Sequence, residues 1–326
     1  MKKQKMSKDP IELKVIFMGT SAFAAEVLKA LLENKYNVVS VYTRPDKKVG
    51  RKKELQKSSV KEVAEKNKIK IFQPEKFDEK TVEDLKNQKP DLIVVTAYGR
   101  ILPKAVLEVP GFGSINVHPS LLPRFRGPSP IQNAILEGEK ETGTTIMLMS
   151  EEMDAGDILA QEKISISTDE TYFDLSEKLA SFSAELLLKT LPLWIKRKIV
   201  PEKQNDSEAS YCQLIERSDG RVVWADDAIS IYNRARAFSP WPGIFTFWEK
   251  DGCNLRLKLL KAALWKNYSQ KNEKKIGEVF EEENKIAVQT SSGALVLEEV
   301  QLEGKSKMDI QEFINGYPNF LGSLLK

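Results

Sequence analysis

The sequence predicts an α/β protein, with a Rossmann-like, doubly wound, mostly parallel sheet followed by a smaller C-terminal β-barrel of OB-like type. Three observations carry that expectation. Up to about Val200, short apolar runs alternate with amphipathic stretches, and strands that alternate with helices pair in parallel. Beyond Val200 short strand-like runs follow one another between turn signals, which suits a small antiparallel barrel. The chain has 326 residues, 41% of them hydrophobic, enough for two domains with their own cores.

The elements follow in order. Residues 1–10 form a basic tail. Lys14–Gly19 is a continuous apolar run and reads as a buried strand. Ser21 can cap the next helix, in which Phe23, Val27, Ala30 and Leu31 recur at helical spacing. Asn37–Thr43 is the second strand. Ser58–Lys68 reads as helix, Ile69–Phe72 as extended and Glu79–Gln88 as helix. Asp91–Ala97 is the most strand-like run, and Ser114–His118 follows a short helical stretch. Thr144–Met149 and Ile158–Ile166 read as strands, and a long helix runs from about Thr171 to Lys198, interrupted or bent near Pro192. The polar stretch from Pro201 reads as a linker, so the expected division is 11–200 for the first domain, 201–214 for the linker and 215–326 for the second domain. In the second domain Arg221–Trp224, Phe245–Trp248, Leu255–Leu260, Glu278–Phe280, Lys285–Gln289 and Ala294–Val300 read as strands, with helical pieces at Ala228–Phe238 and Asp309–Ile314.

Composition excludes several functions. His118 is the one histidine, and Cys212 and Cys253 have no metal-ligand spacing, so two-histidine metal centres are ruled out and no metal is expected. No apolar run reaches the length of about 18 residues that suggests a membrane span. The basic N-terminus lacks the apolar stretch of a secretory signal. A cytoplasmic protein without membrane partners is expected. The first strand–helix turn, Gly19-Thr20-Ser21-Ala22, has one glycine where a dinucleotide fingerprint needs three.

The informative segment is 113–130. Asn116 and His118 lie two apart on a strand, so their side chains leave the same face. They sit near its carboxyl end, where open α/β sheets bind ligands. A histidine satisfied inside the core is the plainer alternative; Asn116 and the Pro/Gly/Arg-rich turn after His118 weigh against it. Asp154 and Asp157 flank a turn after the Thr144–Met149 strand. They are either turn formers or, in space, one of them orients the imidazole.

Residues 44–61 hold eight Lys or Arg against Asp46 and Glu54, a net +6, while the whole chain carries +3. The basicity is therefore local. Such a run is either a solvated charge cluster or a phosphate-binding loop. Its length between a strand and a helix favours function.

Asn116-Val-His118, Ser120-Leu-Leu-Pro123, Arg126-Gly127 and Asp154-Ala-Gly-Asp157 resemble the folate-dependent formyltransferases over roughly residues 13–195. Arg44-Pro-Asp46 with Gly50–Lys53, Ala97–Pro103, and Pro240–Gly243 with the β-rich tail are similar to the members that formylate methionyl initiator tRNA. The resemblance implies 10-formyltetrahydrofolate as donor co-substrate, with no metal. The acceptor it implies is the α-amine of methionine on initiator tRNA. It assigns catalysis to Asn116, His118 and Asp154, and folate binding to Ser120, Leu121, Leu122 and Pro123 with Tyr98, Ile101 and Leu102. It assigns tRNA binding to Arg44, Lys48, Arg51, Lys52 and Lys53. A monomer is expected. The chemistry suits these residue types. Amine attack on a formyl carbon develops an oxyanion, which an amide and an imidazolium can stabilise, and a carboxylate can take the amine's proton. The nearest alternative acceptor is a small amine such as an amino sugar. A non-catalytic RNA-binding protein on the same fold is the remaining alternative.

Overall fold

The computed structural model describes residues 12–49, 54–266, 268 and 274–326. It divides into two compact units. The first comprises the described residues up to Pro130 with Glu141–Ser165 and Leu175–Gln213; the second comprises Ile131–Lys140, Ile166–Asp174 and Leu214 onward.

In the first unit β1 (Val15–Gly19), α1 (Ala22–Glu33) and β2 (Val38–Tyr42) open a parallel layer. Ser21 caps α1 as expected, accepting from the Ala24 amide. The basic segment carries a hairpin, β3 (Lys47–Val49) and β4 (Glu54–Gln56), before α2 (Ser59–Lys66). Then follow β5 (Lys70–Phe72), α3 (Glu79–Asn87), β6 (Leu92–Thr96), α4 (Lys104–Leu107) and β7 (Ser114–His118). After α5 (Pro130–Leu136) the sheet is completed by β8 (Glu141–Leu148) and β9 (Ile158–Ser165), giving the order β5-β2-β1-β6-β7-β8-β9.

The strands from β5 to β7 in that order are parallel, and β8 and β9 are antiparallel additions. Strands β1, β6 and β7 are buried along their whole length, as central strands covered on both faces must be. This explains the unbroken apolar runs of β1 and β6, whereas β7 is equally buried but carries Ser114, Asn116 and His118. The chain builds outward from β1 to β5 and then restarts at β6, so the crevice at the carboxyl ends of β1 and β6 is the topological switch point. Gly19 ends β1 there. A Cβ on it would lie 2.7 to 2.9 Å from Ala24, Phe17 and the Thr96 carbonyl, so close strand–helix packing accounts for that glycine.

The long helix α6 spans Tyr172–Ile195. Pro192 does not interrupt it: the helix continues through Ile195, with Pro192 in its last turn.

In the second unit, α7 (Ala228–Ala237) precedes β10 (Ile244–Lys250), β11 (Cys253–Leu264), β12 (Val279–Glu282), β13 (Lys285–Gln289), β14 (Ala294–Leu302), β15 (Lys307–Asp309) and α8 (Ile310–Gly316). The sheet order is β10-β11-β14-β13-β12, with β15 on β14. Its two edges meet through the C-terminal residues. Phe247 and Lys326 exchange two backbone hydrogen bonds, Val279 donates to Ser323, and Leu325 donates to Gly277. This closes the barrel, as full closure removes sheet edges. Trp248 is buried, with its ring edge-on to Phe313, Tyr317 and Phe320.

Two expectations fail here. Arg221–Trp224 is not a strand; it makes one bridge, Arg221 to Phe245, and Trp224 donates its indole N–H to Thr246 Oγ1. β11 runs well past Leu260, because register shifts around Lys261 bend it so that it continues along β14.

Candidate active site

β7 delivers two of the sequence-predicted residues. Asn116 is 9% exposed and His118 5%, and buried polar groups need partners. Both find them on loops that meet at the carboxyl end of the strand.

Asp154 comes from the turn between β8 and β9. Its φ of +52° is left-handed, a region non-glycine residues seldom occupy. Its Oδ1 accepts from Asn116 Nδ2 at 3.2 Å. Its Oδ2 accepts from the Gly127 amide at 2.8 Å and stands 3.7 Å from His118 Nδ1. A carboxylate only accepts, so the Asn116 amide must turn its NH₂ end toward Asp154, leaving a second N–H for another acceptor. On the other side of the imidazole, Nε2 lies 3.0 Å from the Phe125 carbonyl. A carbonyl cannot donate, so Nε2 carries the hydrogen. Nδ1 is then where the ring gains or loses a proton, facing a carboxylate just outside hydrogen-bond distance. The arrangement offers an aimed amide donor, a proton-accepting nitrogen and a fixed negative charge.

The loop after β7 is held from within. Ser120 is fully buried; its Oγ donates to the Arg124 carbonyl, and its own carbonyl accepts from Thr145 Oγ1. Leu122 is buried, and Leu121 and Pro123 are half-buried. Gly127 has φ +119°, and a Cβ on it would lie 2.3 Å from the Cys212 carbonyl. Glycine is what lets the loop come close enough to aim its N–H at Asp154.

The stretch read as the start of a linker is bonded to this site. Ile158 and Glu202 exchange backbone hydrogen bonds. Gln204 donates to the carbonyls of Asp154 and Gly156, and accepts from the Arg126 guanidinium. Ser210 Oγ accepts from the Phe125 amide, and Cys212 donates its amide to the Arg126 carbonyl. Gln204 is the residue that sequence reasoning missed. Polar composition with an initial proline looks the same in a solvated linker and in a strap whose polar groups satisfy a site.

The segment expected to line the donor pocket presents its side chains in two directions. Tyr98 and Leu102 are 2% and 4% exposed and belong to the core with Ile16, Met18, Ile93 and Val95. Ile101 is 83% exposed and borders an open groove with Glu75, Lys76, Phe77, Arg100 and Pro103. The side chains alternate between core and solvent because the segment turns sharply, with φ +44° at Ala97 and +71° at Gly99. Tyr98 Oη and Arg100 Nε are buried without a partner among the described residues, and burial pushes the Tyr98 phenol up to about 12.

The basic segment leaves the same edge of the sheet. Its stem consumes part of its charge. Lys61 donates to Asp46 and Gln73, Gln73 donates back to Asp46 and the Arg44 carbonyl, and Lys57 pairs with Glu65. The Arg44 guanidinium donates to the Gly99 carbonyl, so it is turned toward the 97–100 turn. Lys48 lies on β3; Arg51, Lys52 and Lys53 lie outside the described residues. Among the described residues no group of three or more His, Cys, Asp or Glu is placed to hold a metal ion.

Two family models match the chain: formyl transferase over residues 13–191 and formyl transferase, C-terminal domain, over 214–318. The chain belongs to the formyltransferase family. It is 41% identical over 316 residues to the methionyl-tRNA formyltransferase of Caldanaerobacter subterraneus subsp. tengcongensis, covering 96% of this chain and 100% of that one. It is 42% identical to the methionyl-tRNA formyltransferase of Caldicellulosiruptor saccharolyticus, covering 95% and 99%. Among solved formyltransferases, the N-formyltransferase of Helicobacter canadensis, crystallised with folinic acid and dTDP-3-aminofucose, shares the fold at a TM-score of 0.65 and 22% identity, covering 87% and 98%. HypX of Aquifex aeolicus in complex with tetrahydrofolic acid shares it at 0.63 and 20% identity, with 95% of this formyltransferase covered; the chain spans 48% of that longer protein.

Proposed function

We infer that this chain is a methionyl-tRNA formyltransferase, moving the formyl group of 10-formyltetrahydrofolate to the α-amine of methionine carried on initiator tRNA. The observation that carries the reading is the end-to-end likeness to methionyl-tRNA formyltransferases, which spans both units and the basic segment. The expected amino-sugar alternative has fold-level support alone.

In this reading the amine attacks the formyl carbon, a new C–N bond forms, the bond to the donor nitrogen breaks, and the proton lost by the amine ends on that nitrogen. Asn116 gives its second N–H to the developing oxyanion, and a donor of this kind is worth about 2.7–4 kcal/mol. His118 passes a proton through Nδ1, its Nε2 being tied to the Phe125 carbonyl. Asp154 aims the Asn116 amide and supplies the fixed charge. The donor lies along the 97–103 turn and the loop 120–123. Two unpartnered buried polar atoms on the first of these, Tyr98 Oη and Arg100 Nε, fit a polar ligand there. Lys48, Arg51, Lys52 and Lys53 meet acceptor-stem phosphates, with Arg44 fixing the stem of their loop. The reading includes a monomer at work in the cytoplasm; no helix among the described residues is long and apolar enough to cross a membrane.

The test supplies 10-formyltetrahydrofolate with charged initiator tRNA, free methionine and a nucleotide-linked amino sugar in parallel. Formyl transfer to charged tRNA alone is the expected result. Preferred transfer to the amino sugar would overturn the reading.

A further inference from the structure

We propose that Gln204 is a positioning residue for formyl transfer, holding the Asp154 turn in register with Asn116 and Gly127. The proposal rests on the reading that Asp154 acts in the reaction. Asp154 sits at φ +52°, and a non-glycine residue stays in that region only where its surroundings hold it. Gln204 is what holds it. Its Nε2 donates to the Asp154 carbonyl at 2.8 Å and to the Gly156 carbonyl at 2.8 Å, gripping the turn on either side of Ala155.

The orientation of the amide is itself fixed. Gln204 Oε1 accepts from Arg126 Nε at 3.1 Å and from the same guanidinium's Nη2 at 2.9 Å. Arg126 is 2% exposed, and its Nη2 also donates to Asp206 at 2.7 Å. Its backbone donates to Ser210 and accepts from Cys212, both at 2.8 Å. A guanidinium only donates, so the oxygen end of Gln204 must face Arg126 and the NH₂ end must face the two carbonyls. Every hydrogen-bonding position of the amide is used.

Arg126 also precedes Gly127, whose N–H meets the Asp154 carboxylate. The bonds therefore close a ring. From Arg126, one arm reaches the Asp154 side chain through Gly127, and the other reaches the Asp154 backbone through Gln204. The two arms together set where the carboxylate stands relative to Asn116 Nδ2 and His118 Nδ1. Gln204 touches neither reacting group in this scheme. It acts through Asp154, and a shift of about 1 Å in a reacting group can cost roughly 10²-fold in rate.

The test is a double-mutant cycle of Gln204→Met and Asp154→Asn, read by single-turnover formyl transfer with KM for tRNA and for the donor measured alongside. Methionine keeps the length of the side chain and removes its hydrogen bonds. Gln204→Met should lower the rate by about 10- to 100-fold with both KM values within about twofold. In the Asp154→Asn background the same change should cost less than about twofold, because residues acting as one unit are not additive. Gln204→Glu is the second variant. It keeps a partner for Arg126 and turns an oxygen on the two carbonyls, so it should lose rate as Gln204→Met does, and it carries the test if Gln204→Met does not fold. A full, multiplicative loss in the Asp154→Asn background would make Gln204 a fold residue only, and a near-normal rate in either Gln204 variant would refute the proposal outright. Wild-type rate in Asp154→Asn alone would instead overturn the role given to Asp154.

Discussion

Replacing Gly127 by alanine joins backbone conformation to chemistry in one experiment. The φ at Gly127 is +119°, outside the left-handed well that other residues occasionally enter, and the new Cβ would lie 2.3 Å from the Cys212 carbonyl oxygen. That atom is backbone, so no rotamer change relieves the overlap. Backbone strain of this kind costs about 1–3 kcal/mol, and overpacking against a fixed neighbour costs a further 1–3 kcal/mol or so. A total near 3 kcal/mol is expected, which for a unit of this size lowers Tm by roughly 6–12 °C. Relief of the overlap must move residues 126–128, and with them the N–H that meets Asp154 Oδ2 at 2.8 Å. The rate should fall with the stability, by about 10-fold or more below the melting transition. Gly243 supplies the comparison: φ is +72° and a Cβ added there would meet nothing within 4 Å, so Gly243→Ala should cost about 1 kcal/mol and leave the rate alone. Scanning calorimetry and formyl transfer on both variants decide the matter. A Gly127→Ala protein with unchanged Tm and unchanged rate would refute the close approach of the two segments and the reasoning built on it.

Further outcomes follow from the same geometry. Asn116→Ala and His118→Ala should each lower kcat by roughly 10²-fold or more with little change in either KM, measured by steady-state transfer; near-normal kcat in either removes that residue from the reaction. Changing Arg51, Lys52 and Lys53 together to alanine should flatten the slope of log K for tRNA against log salt by about 2–3 units, measured by filter binding, while donor binding stays as it is. Leu102→Asp should lower Tm sharply rather than raise the donor KM selectively, because Leu102 packs in the core. Asp227 caps α7, and hydrogen bonds from Ser230 and Ile229 hold its carboxyl below the usual range. A folded value below the unfolded one adds stability above the ordinary carboxylate pKa, and this is lost as pH falls through the folded value. Asn keeps the cap without the charge, so the Tm gap between wild type and Asp227→Asn should be largest near neutral pH and close in strong acid.

The sequence by itself determined most of the elements and the shared face of Asn116 and His118. Runs such as Lys14–Gly19 and Asp91–Ala97 are legible because a strand buried on both faces must be apolar throughout, and Ser21 is legible because a cap is a local bond. Asn116 and His118 share a face by the period of a strand, whatever surrounds them. Tertiary structure decided everything that depends on non-local partners. Closure of the barrel by Gly322–Lys326 was not visible, because those residues show no pattern and are placed by two edges far away in the chain. Tyr98 and Leu102 face the core while Ile101 faces solvent because of a sharp turn that composition does not encode. The polar run holding Gln204 reads as linker until Arg126 and the Asp154 turn stand on either side of it. A polar side chain declares in its sequence what it can bond, and only the fold supplies the donor or acceptor that fixes its direction.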